Sequence, residues 1–158
     1  MKVTIILGSQ SDKATMKKAA DVLRDLEINF SSRVISAHRS PELLEKTILE
    51  TEQDGTEVII AGAGLAAHLP GVIASKTLLP VIGVPIASGA LNGIDALFSI
   101  VQMPKSVPVA TVAVDNAANA AYLAAEILGI KYPTVQKKLE NLRSKIKENL
   151  AKESSVDL

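Results

Sequence analysis

Five short runs of apolar and β-branched residues recur along this 158-residue chain, and segments compatible with helices separate them. Three of the runs are almost wholly apolar, which is typical of strands buried on both faces of a parallel sheet. Parallel neighbours need long crossover connections, and these are usually helices. The runs are VTIIL from residue 3, FSSRVI from 30, EVIIAG from 57, PVIGVP from 80 and PVATVAV from 108.

This alternation predicts an α/β fold, with a single-domain, doubly wound, parallel five-stranded sheet in a flavodoxin-like three-layer sandwich. The chain length and the 47% hydrophobic content suit one well-filled core. We expect Ser11 or Asp12 to cap a helix that runs to about Leu26. A second helix is expected to open at Ser40, with a proline in its first turn, and to end at Gly55.

An extra helix is predicted after the five-unit layer. We assign residues 1–130 to the α/β domain and residues 131–158 to a C-terminal helical extension of the same domain. The extension could fold back on its own subunit or lie against a neighbouring one. We favour the neighbour, because the alanine-rich segment NAANAAYLAAEILG before it carries few charges and also needs covering. The apolar stripe of the extension consists of Val135, Leu139, Leu142, Ile146 and Leu150.

Composition excludes several classes of function. Basic and acidic residues both number 17, so no global charge favours nucleic acid or an acidic membrane as a partner. The chain has no cysteine, which excludes disulfides, thiolate nucleophiles and thiolate-held metals and fits a reducing cytosol. No apolar segment approaches the roughly 18 residues of a membrane span. Since KVTIILG begins a strand without a signal-peptide pattern, we expect a cytoplasmic protein.

Both histidines of the chain follow predicted strands. His38 lies in SAHRSP after the second strand, and His68 lies in AGAGLAAHLPG after the third. The carboxyl ends of parallel strands share one edge of the sheet, so these loops are expected to lie beside GSQSD, which follows the first strand. Open α/β sheets bind their ligands at this edge.

The GSQSD segment allows two interpretations. Ser9, Ser11 and Asp12 stand at a helix start, where free N–H groups favour a phosphate and a carboxylate can accept hydrogen bonds from a ribose. Ordinary helix capping explains the same residues. The segment lacks the Gly-Lys-Ser/Thr of a Walker loop and the spaced glycines of a dinucleotide site.

The SAHRSP segment points more directly to chemistry. Arg39 can hold a phosphate through two hydrogen bonds, and an imidazole such as that of His38, with an unperturbed pKa of roughly 6.5, can both give and take a proton near neutrality. A lone histidine is more often structural, but the neighbouring arginine favours a functional role. A hydrolytic triad using Ser9 is disfavoured, because no G-x-S-x-G turn presents that serine. A metal held by His38, His68 and Asp12 is disfavoured too, since no further histidine or thiol is available.

The small residues of AGAGLAAHLPG also allow two interpretations. They let the backbone approach a flat ligand closely and form a narrow, dry pocket with one imidazole on its wall. They could equally serve only the close packing of a strand–helix turn.

Taken together and in order, these segments resemble a known family. Six segments span roughly residues 2 to 128: GSQSD, SAHRSP, AGAGLAAHLPG, PVIGVP, LFSIVQMP and VPVATVAV. They are similar to segments of the N5-carboxyaminoimidazole ribonucleotide mutases of purine biosynthesis in their bacterial class I form. The AAHLPG segment favours class I over the class II enzymes, which carboxylate aminoimidazole ribonucleotide with free carbon dioxide.

The resemblance implies a reaction and a set of residues. The family moves a carboxylate from the exocyclic N5 to ring carbon C4 of its ribonucleotide, through released and retained carbon dioxide, without cofactor or metal. It implies a small phosphorylated substrate and a homo-octamer. The catalytic histidine of the family corresponds to His38. Substrate binding is assigned to Ser9, Ser11, Asp12, Ser36, Arg39, Gly64, His68 and Leu69.

Three positions depart from the family pattern. Leu65 stands where glycine is expected, Ser40 stands where threonine is commoner, and Lys105 with Ser106 replaces a glycine pair. If the family backbone has a positive φ at the position of Leu65, the loop differs locally here and the role of Gly64 is affected.

Two other functions stay open at this point. One is the class II carboxylase, and the other is a noncatalytic protein that binds a phosphorylated metabolite. A response-regulator receiver is disfavoured, because VTIILGSQSD lacks an acidic pair after the first strand.

Overall fold

In the computed structural model, which describes residues 1–152, five parallel strands form one sheet in the order β2-β1-β3-β4-β5. The predicted doubly wound, flavodoxin-like α/β fold is confirmed. The strands are β1 (Lys2–Leu7), β2 (Asn29–Val34), β3 (Val58–Gly64), β4 (Val81–Ile86) and β5 (Ala110–Thr111). The helices are α1 (Lys13–Asp25), α2 (Pro41–Gln53), α3 (Leu69–Ala74), α4 (Ile94–Val101), α5 (Ala117–Gly129) and α6 (Pro133–Lys152).

Two apolar layers cover the sheet, one on each face. Alternate residues of the central strands point to opposite faces, so Ile5 and Ile60 pack with α1 and α5 while Ile6 and Ile59 pack with α2, α3 and α4. All four of these side chains are buried. This burial on both faces accounts for the continuous apolar runs from which a parallel sheet was predicted.

The fifth strand is much shorter than the predicted run from residue 108. Only Ala110 and Thr111 form a ladder with β4, although the Asp115 N–H still donates to the Pro85 carbonyl at 2.9 Å. Pro85 and Pro108 have no N–H to donate, and β5 lies at the edge of the sheet, so the regular ladder ends early.

The first helix begins and ends where it was predicted to, with Asp12 as its N-cap residue and Leu26 as its C-cap residue, but its capping hydrogen bonds differ. Ser9 is the N-cap of a 3₁₀ turn, Gln10–Asp12, that leads into α1. Asp12 occupies the N-cap position of α1 itself, but its side chain makes no capping bond there. Ser40 does occupy the N-cap position of α2, also without a side-chain bond, and Gly55 follows the helix with φ +82°.

Other elements of the same chain cover the alanine-rich helix, α5. Its alanines are buried against α1 and the sheet, and α6 packs on its outer side. In α6, Val135 is buried and Leu139 packs against the same core, because α6 folds back antiparallel on its own subunit. The neighbouring subunit favoured from sequence is therefore not needed for this half of the stripe. Ile146 and Leu150, farther along, are exposed, and residues 153–158 of the extension lie outside the described part.

None of the helices within residues 1–152 combines the length and apolar character needed to cross a membrane.

The side chain of Glu57 joins the α5–α6 connection to the sheet. It accepts hydrogen bonds from Lys131 Nζ at 2.8 Å and from Tyr132 Oη at 2.7 Å. Burial raises the pKa of the Glu57 carboxyl, but these two hydrogen bonds and the nearby positive charges outweigh it and hold the pKa below its ordinary 4.5. The ionised carboxylate therefore stabilises the folded chain at neutral pH, and this contribution is lost as the pH falls below about 4.5.

We expect Glu57→Gln to lower the free energy of unfolding at pH 7 by about 1 kcal/mol, as measured by chemical denaturation. The difference from wild type should shrink as the pH is lowered below about 4.5. Glu50→Gln is the control, because the carboxylate of Glu50 forms an exposed helical pair with Lys46 at 3.9 Å and is not buried. A Glu57 effect that is independent of pH would contradict this assignment.

Candidate active site

One cleft of about 420 Å³ lies at the carboxyl edge of β1, β2 and β3. The structure brings all nine residues that sequence analysis singled out to its walls, from three separate loops. These are Ser9, Ser11, Asp12, Ser36, His38, Arg39, Gly64, His68 and Leu69.

The two histidines of the chain contact each other across this cleft. His38 Nε2 and His68 Nδ1 lie 2.8 Å apart in a hydrogen bond, with the ring planes at 80°. His38 belongs to the turn after β2, and His68 is the residue before α3. One nitrogen of this pair must donate and the other accept, so the pair can take up one additional proton and keep its hydrogen bond. If the pair took up a second proton, both facing nitrogens would carry a hydrogen and the hydrogen bond between them would be lost.

The loop after β1 is held by reciprocal hydrogen bonds. The Ser9 N–H donates to Asp12 Oδ2 at 2.8 Å, and the Ser11 N–H donates to Ser9 Oγ at 3.4 Å. These bonds form a capping box, so the capping interpretation of the segment holds. Asp12 is 6% exposed yet lines the cleft. Burial raises the pKa of its carboxyl above the ordinary 3.8, against the lowering effect of the hydrogen bonds from Ser9 and Ser11.

A second hollow adjoins the cleft on the side of β2. It shares Ser9, Ser36 and Arg39 with the cleft and adds Ser40 and Leu43. The Arg39 N–H donates to Ser36 Oγ at 3.3 Å, which fixes the turn that carries the exposed guanidinium. Arg39 lines both hollows, so its guanidinium can hold an anion that binds in either of them.

The small-residue loop after β3 is shaped first by packing. A Cβ at Gly64 would lie 3.0 Å from the Ile86 carbonyl oxygen and 3.1 Å from Ser88 Cβ, so a glycine lets the ends of β3 and β4 meet. The next residue, Leu65, has φ +54°. The positive φ considered from sequence is thus present, and a leucine occupies it. Leu69 is buried in the core beneath the cleft.

Some cleft residues escaped the sequence analysis. Ser88 lines the cleft from the loop after β4, and the rule that ligands lie at strand carboxyl ends would have included it. Leu65 was noticed only as a departure from a family pattern, but it lines the cleft as well.

No group of three or more His, Cys, Asp or Glu side chains is arranged to hold a metal ion among residues 1–152.

Comparison with known proteins gives a consistent result. A family model described as AIR carboxylase matches residues 2–149. The chain is 60% identical over 146 residues to an N5-carboxyaminoimidazole ribonucleotide mutase of Pyrococcus abyssi, which covers 92% of this chain and 84% of the relative. A protein of the same name from Thermotoga maritima is 53% identical over 149 residues, covering 94% and 87%. The crystal structure of Treponema denticola PurE superposes with a TM-score of 0.83 at 29% identity, covering 96% and 97%.

We expect the Asp12 carboxylate to reduce stability at neutral pH. Because its pKa in the folded chain is raised, the folded state binds more protons than the unfolded state as the pH rises from 3.8, and stability falls across that range. Relative to Asp12→Asn, wild type should therefore lose free energy of unfolding as the pH is raised above about 4, as measured by denaturant titration. A difference that moved in the opposite direction would show that the hydrogen bonds outweigh burial.

Proposed function

Because the chain belongs to the AIR carboxylase family, we propose that it acts as an N5-carboxyaminoimidazole ribonucleotide mutase. In this isomerase reaction of purine biosynthesis, the carboxylate leaves N5 and becomes bonded to ring carbon C4. The observation that carries the proposal is the hydrogen bond between His38 and His68 in a cleft that also holds Arg39 and Asp12. The same name in relatives at 50 to 60% identity supports it.

The reaction needs one mobile proton and no outside electrons. When the bond from N5 to the carboxylate breaks, carbon dioxide leaves and the electron pair stays on the aminoimidazole. C4 then attacks the carbon dioxide, and the hydrogen of C4 ends on N5. Substrate and product have the same atoms and charge, so the proposed step needs no outside oxidant, reductant or group donor.

We assign this proton transfer to His38. In the tautomer in which His38 Nε2 donates to His68 Nδ1, the other ring nitrogen of His38, Nδ1, is free to take the C4 proton, and the resulting imidazolium still donates from Nε2. The hydrogen bond between the two histidines would thus be kept through the proton transfer without any rearrangement of the pair. General acid–base transfer of this kind contributes roughly two to four orders of magnitude to a rate.

We assign binding of the ribose phosphate to the polar side of the cleft. The guanidinium of Arg39 suits the phosphate, and the hollow that adjoins the cleft has room for it near Ser9, Ser36 and Ser40. Asp12, with Ser11 beside it, would accept hydrogen bonds from ribose hydroxyls. The contacts at the phosphate end supply binding energy that positions the ring, and they do not take part in the chemistry.

We assign the carboxyl end of the substrate to the apolar side. Here Gly64, Ala66 and Leu69 line the cleft next to His68. Walls of this kind exclude water and leave carbon dioxide close to the ring carbon that must capture it.

Two assays without ATP separate this function from its rivals. The pure protein is incubated either with the N5-carboxylated ribonucleotide or with aminoimidazole ribonucleotide and bicarbonate. A mutase forms the C4-carboxylated product efficiently from the first substrate, whereas a class II carboxylase forms it from the second. Binding without turnover in either assay would favour a noncatalytic metabolite-binding protein.

We expect His38→Asn to lower kcat by roughly two to four orders of magnitude while the Kd of the ribonucleotide changes little. Asparagine keeps a polar side chain of similar reach but cannot carry the proton. Rates are measured by absorbance of the product and binding by calorimetry. His68→Asn, which leaves His38 in place, should cause a smaller loss. Near wild-type turnover by His38→Asn would overturn the assignment.

We also propose that the enzyme is a cytoplasmic homo-oligomer, with the octamer implied by family resemblance as the expected size. Support comes from an exposed apolar stripe on and before α4, which we call the α4 stripe. It consists of Leu91, Ile94, Phe98 and Val101, each about half exposed. The spacing places the last three on one helix face, and a contiguous apolar surface of this kind is typical of subunit contacts.

Substitution within the α4 stripe should change the oligomeric state. We expect the wild type to elute as an oligomer in size-exclusion chromatography with light scattering and Phe98→Glu to yield smaller species, because a charge would be buried in the contact. Leu78→Glu is the matched control, since Leu78 is a fully exposed apolar side chain outside the stripe. A monomeric wild type, or equal masses for all three proteins, would refute the proposal.

A further inference from the structure

The loop after β4, residues 87–93, borders the side of the cleft to which the carboxyl end of the substrate is assigned. Ser88 of this loop lines the cleft together with Gly64. A Cβ at Gly64 would lie 3.1 Å from Ser88 Cβ, so the two loops approach each other closely here. Ser88 is exposed, and it therefore brings a hydroxyl that a ligand can reach to the apolar side of the cleft.

The two ends of this loop meet at one place. Gly93, its last residue, has φ +89°, and a Cβ there would lie 2.6 Å from Val114 Cγ1 and 3.1 Å from Ala87 Cα. The loop therefore leaves the sheet and returns to it beside the residues that follow β5. Because Ala87 precedes Ser88 directly, a shift of Ala87 would move Ser88 relative to the cleft.

Asp115 holds the chain at the base of this loop. Its N–H donates to the Pro85 carbonyl at 2.9 Å, and its Oδ1 accepts a hydrogen bond from the Ala87 N–H at 3.0 Å. The backbone of Asp115 has φ +58°, a conformation that a glycine would adopt more easily. A glycine, however, has no side chain to accept the hydrogen bond from Ala87. The bond across the loop gives a physical reason for an aspartate at this position.

A hydroxyl beside the reacting end of the substrate has a use in the proposed reaction. The transferred carboxylate is negatively charged on N5 and again on C4, and a serine hydroxyl can donate a hydrogen bond to it. A hydrogen bond to a charged group is stronger than one between neutral groups. Aminoimidazole ribonucleotide has no carboxylate and gains nothing from such a donor.

We propose that the Ser88 hydroxyl binds the carboxylate of the ribonucleotide and that Asp115 is a positioning residue, which keeps Ser88 in place through Ala87. The inference rests on the proposed mutase function and deepens it, because it adds a group that recognises the transferred carboxylate. Asp115 does not line the cleft, so it acts on the ligand only through the loop.

Calorimetry with two ribonucleotides tests the assignment, since the C4-carboxylated ribonucleotide carries the carboxylate and aminoimidazole ribonucleotide lacks it. For Ser88→Ala and for Asp115→Gly, we expect the Kd of the carboxylated ribonucleotide to rise roughly tenfold. The Kd of aminoimidazole ribonucleotide should stay at the wild-type value. Asp115→Asn should bind both ribonucleotides as wild type does, because its amide oxygen can accept from Ala87 and asparagine also tolerates positive φ.

A double variant tests whether the two residues act together. When Ser88→Ala is combined with Asp115→Gly, the Kd of the carboxylated ribonucleotide should be no higher than for Ser88→Ala alone, because Asp115 acts through Ser88. Losses that multiply would show that the two residues act independently, and the positioning role of Asp115 would be wrong.

Glu27 supplies the matched control for a glycine at positive φ. Like Asp115, it is an acidic residue with φ +54°, and its carboxylate forms an ion pair with Lys138 Nζ at 2.8 Å. It lies just before β2 begins, at the opposite edge of the sheet from the cleft. Glu27→Gly should therefore leave the Kd of both ribonucleotides unchanged.

Each outcome decides the proposal. Equal weakening of both ribonucleotides by Asp115→Gly, or wild-type binding of the carboxylated one by Ser88→Ala or Asp115→Gly, would overturn it while leaving the mutase function standing. Wild-type protein that binds neither ribonucleotide would overturn both. If Asp115→Gly does not fold, Asp115→Ala takes its place, because alanine also lacks the acceptor.

Discussion

The position of β1 between β2 and β3 is the constraint on which the rest of the structure depends. All three strands run parallel, so the chain leaves each of them at the same edge. The Gly8 N–H continues the pairing by donating to the Gly62 carbonyl at 3.0 Å, and the Ile35 N–H donates to the Leu7 carbonyl at 2.8 Å. The loops after β2 and β3 must therefore converge over the end of β1. His38 and His68, 30 residues apart in sequence, come within hydrogen-bonding distance for this reason.

Around this pair, the cleft combines a polar and an apolar environment. One side carries the hydroxyls, the carboxylate and the guanidinium of the loops after β1 and β2, and the other is lined by small and apolar residues of the loop after β3. Such a division suits a ligand with an anionic end and a reacting end that must stay dry. Asp12 illustrates the balance: its burial opposes ionisation, but the capping box keeps the carboxylate oriented. On the other side, Leu65 has a φ of +54°, which is unusual for a leucine, and its side chain approaches Gly89 in the loop after β4.

The outer helices show how the chain divides its apolar surface between its own core and possible partners. Helix α5 is covered by α1, by the sheet and by the first half of α6, so its alanines serve close packing within one subunit. The α4 stripe and the far end of α6 have no such cover among residues 1–152. The α4 stripe and the far end of α6 therefore leave apolar surface exposed, and contacts between subunits are proposed on such surface.

Much of the fold followed from sequence, because apolar runs with β-branched residues report burial on both faces of a sheet, and glycine, serine and proline mark the turns between them. Strand direction alone predicted that three loops share one edge of the sheet, and these are GSQSD, SAHRSP and AGAGLAAHLPG. Other features depended on contacts between residues distant in sequence. Only the tertiary structure decided the hydrogen bond between His38 and His68 and the reciprocal capping of Ser9 and Asp12. The same holds for the packing of α6 on its own subunit and for the contact of Leu65 with Gly89. Periodicity records which face of an element is buried, whereas distances and register are set when the elements pack.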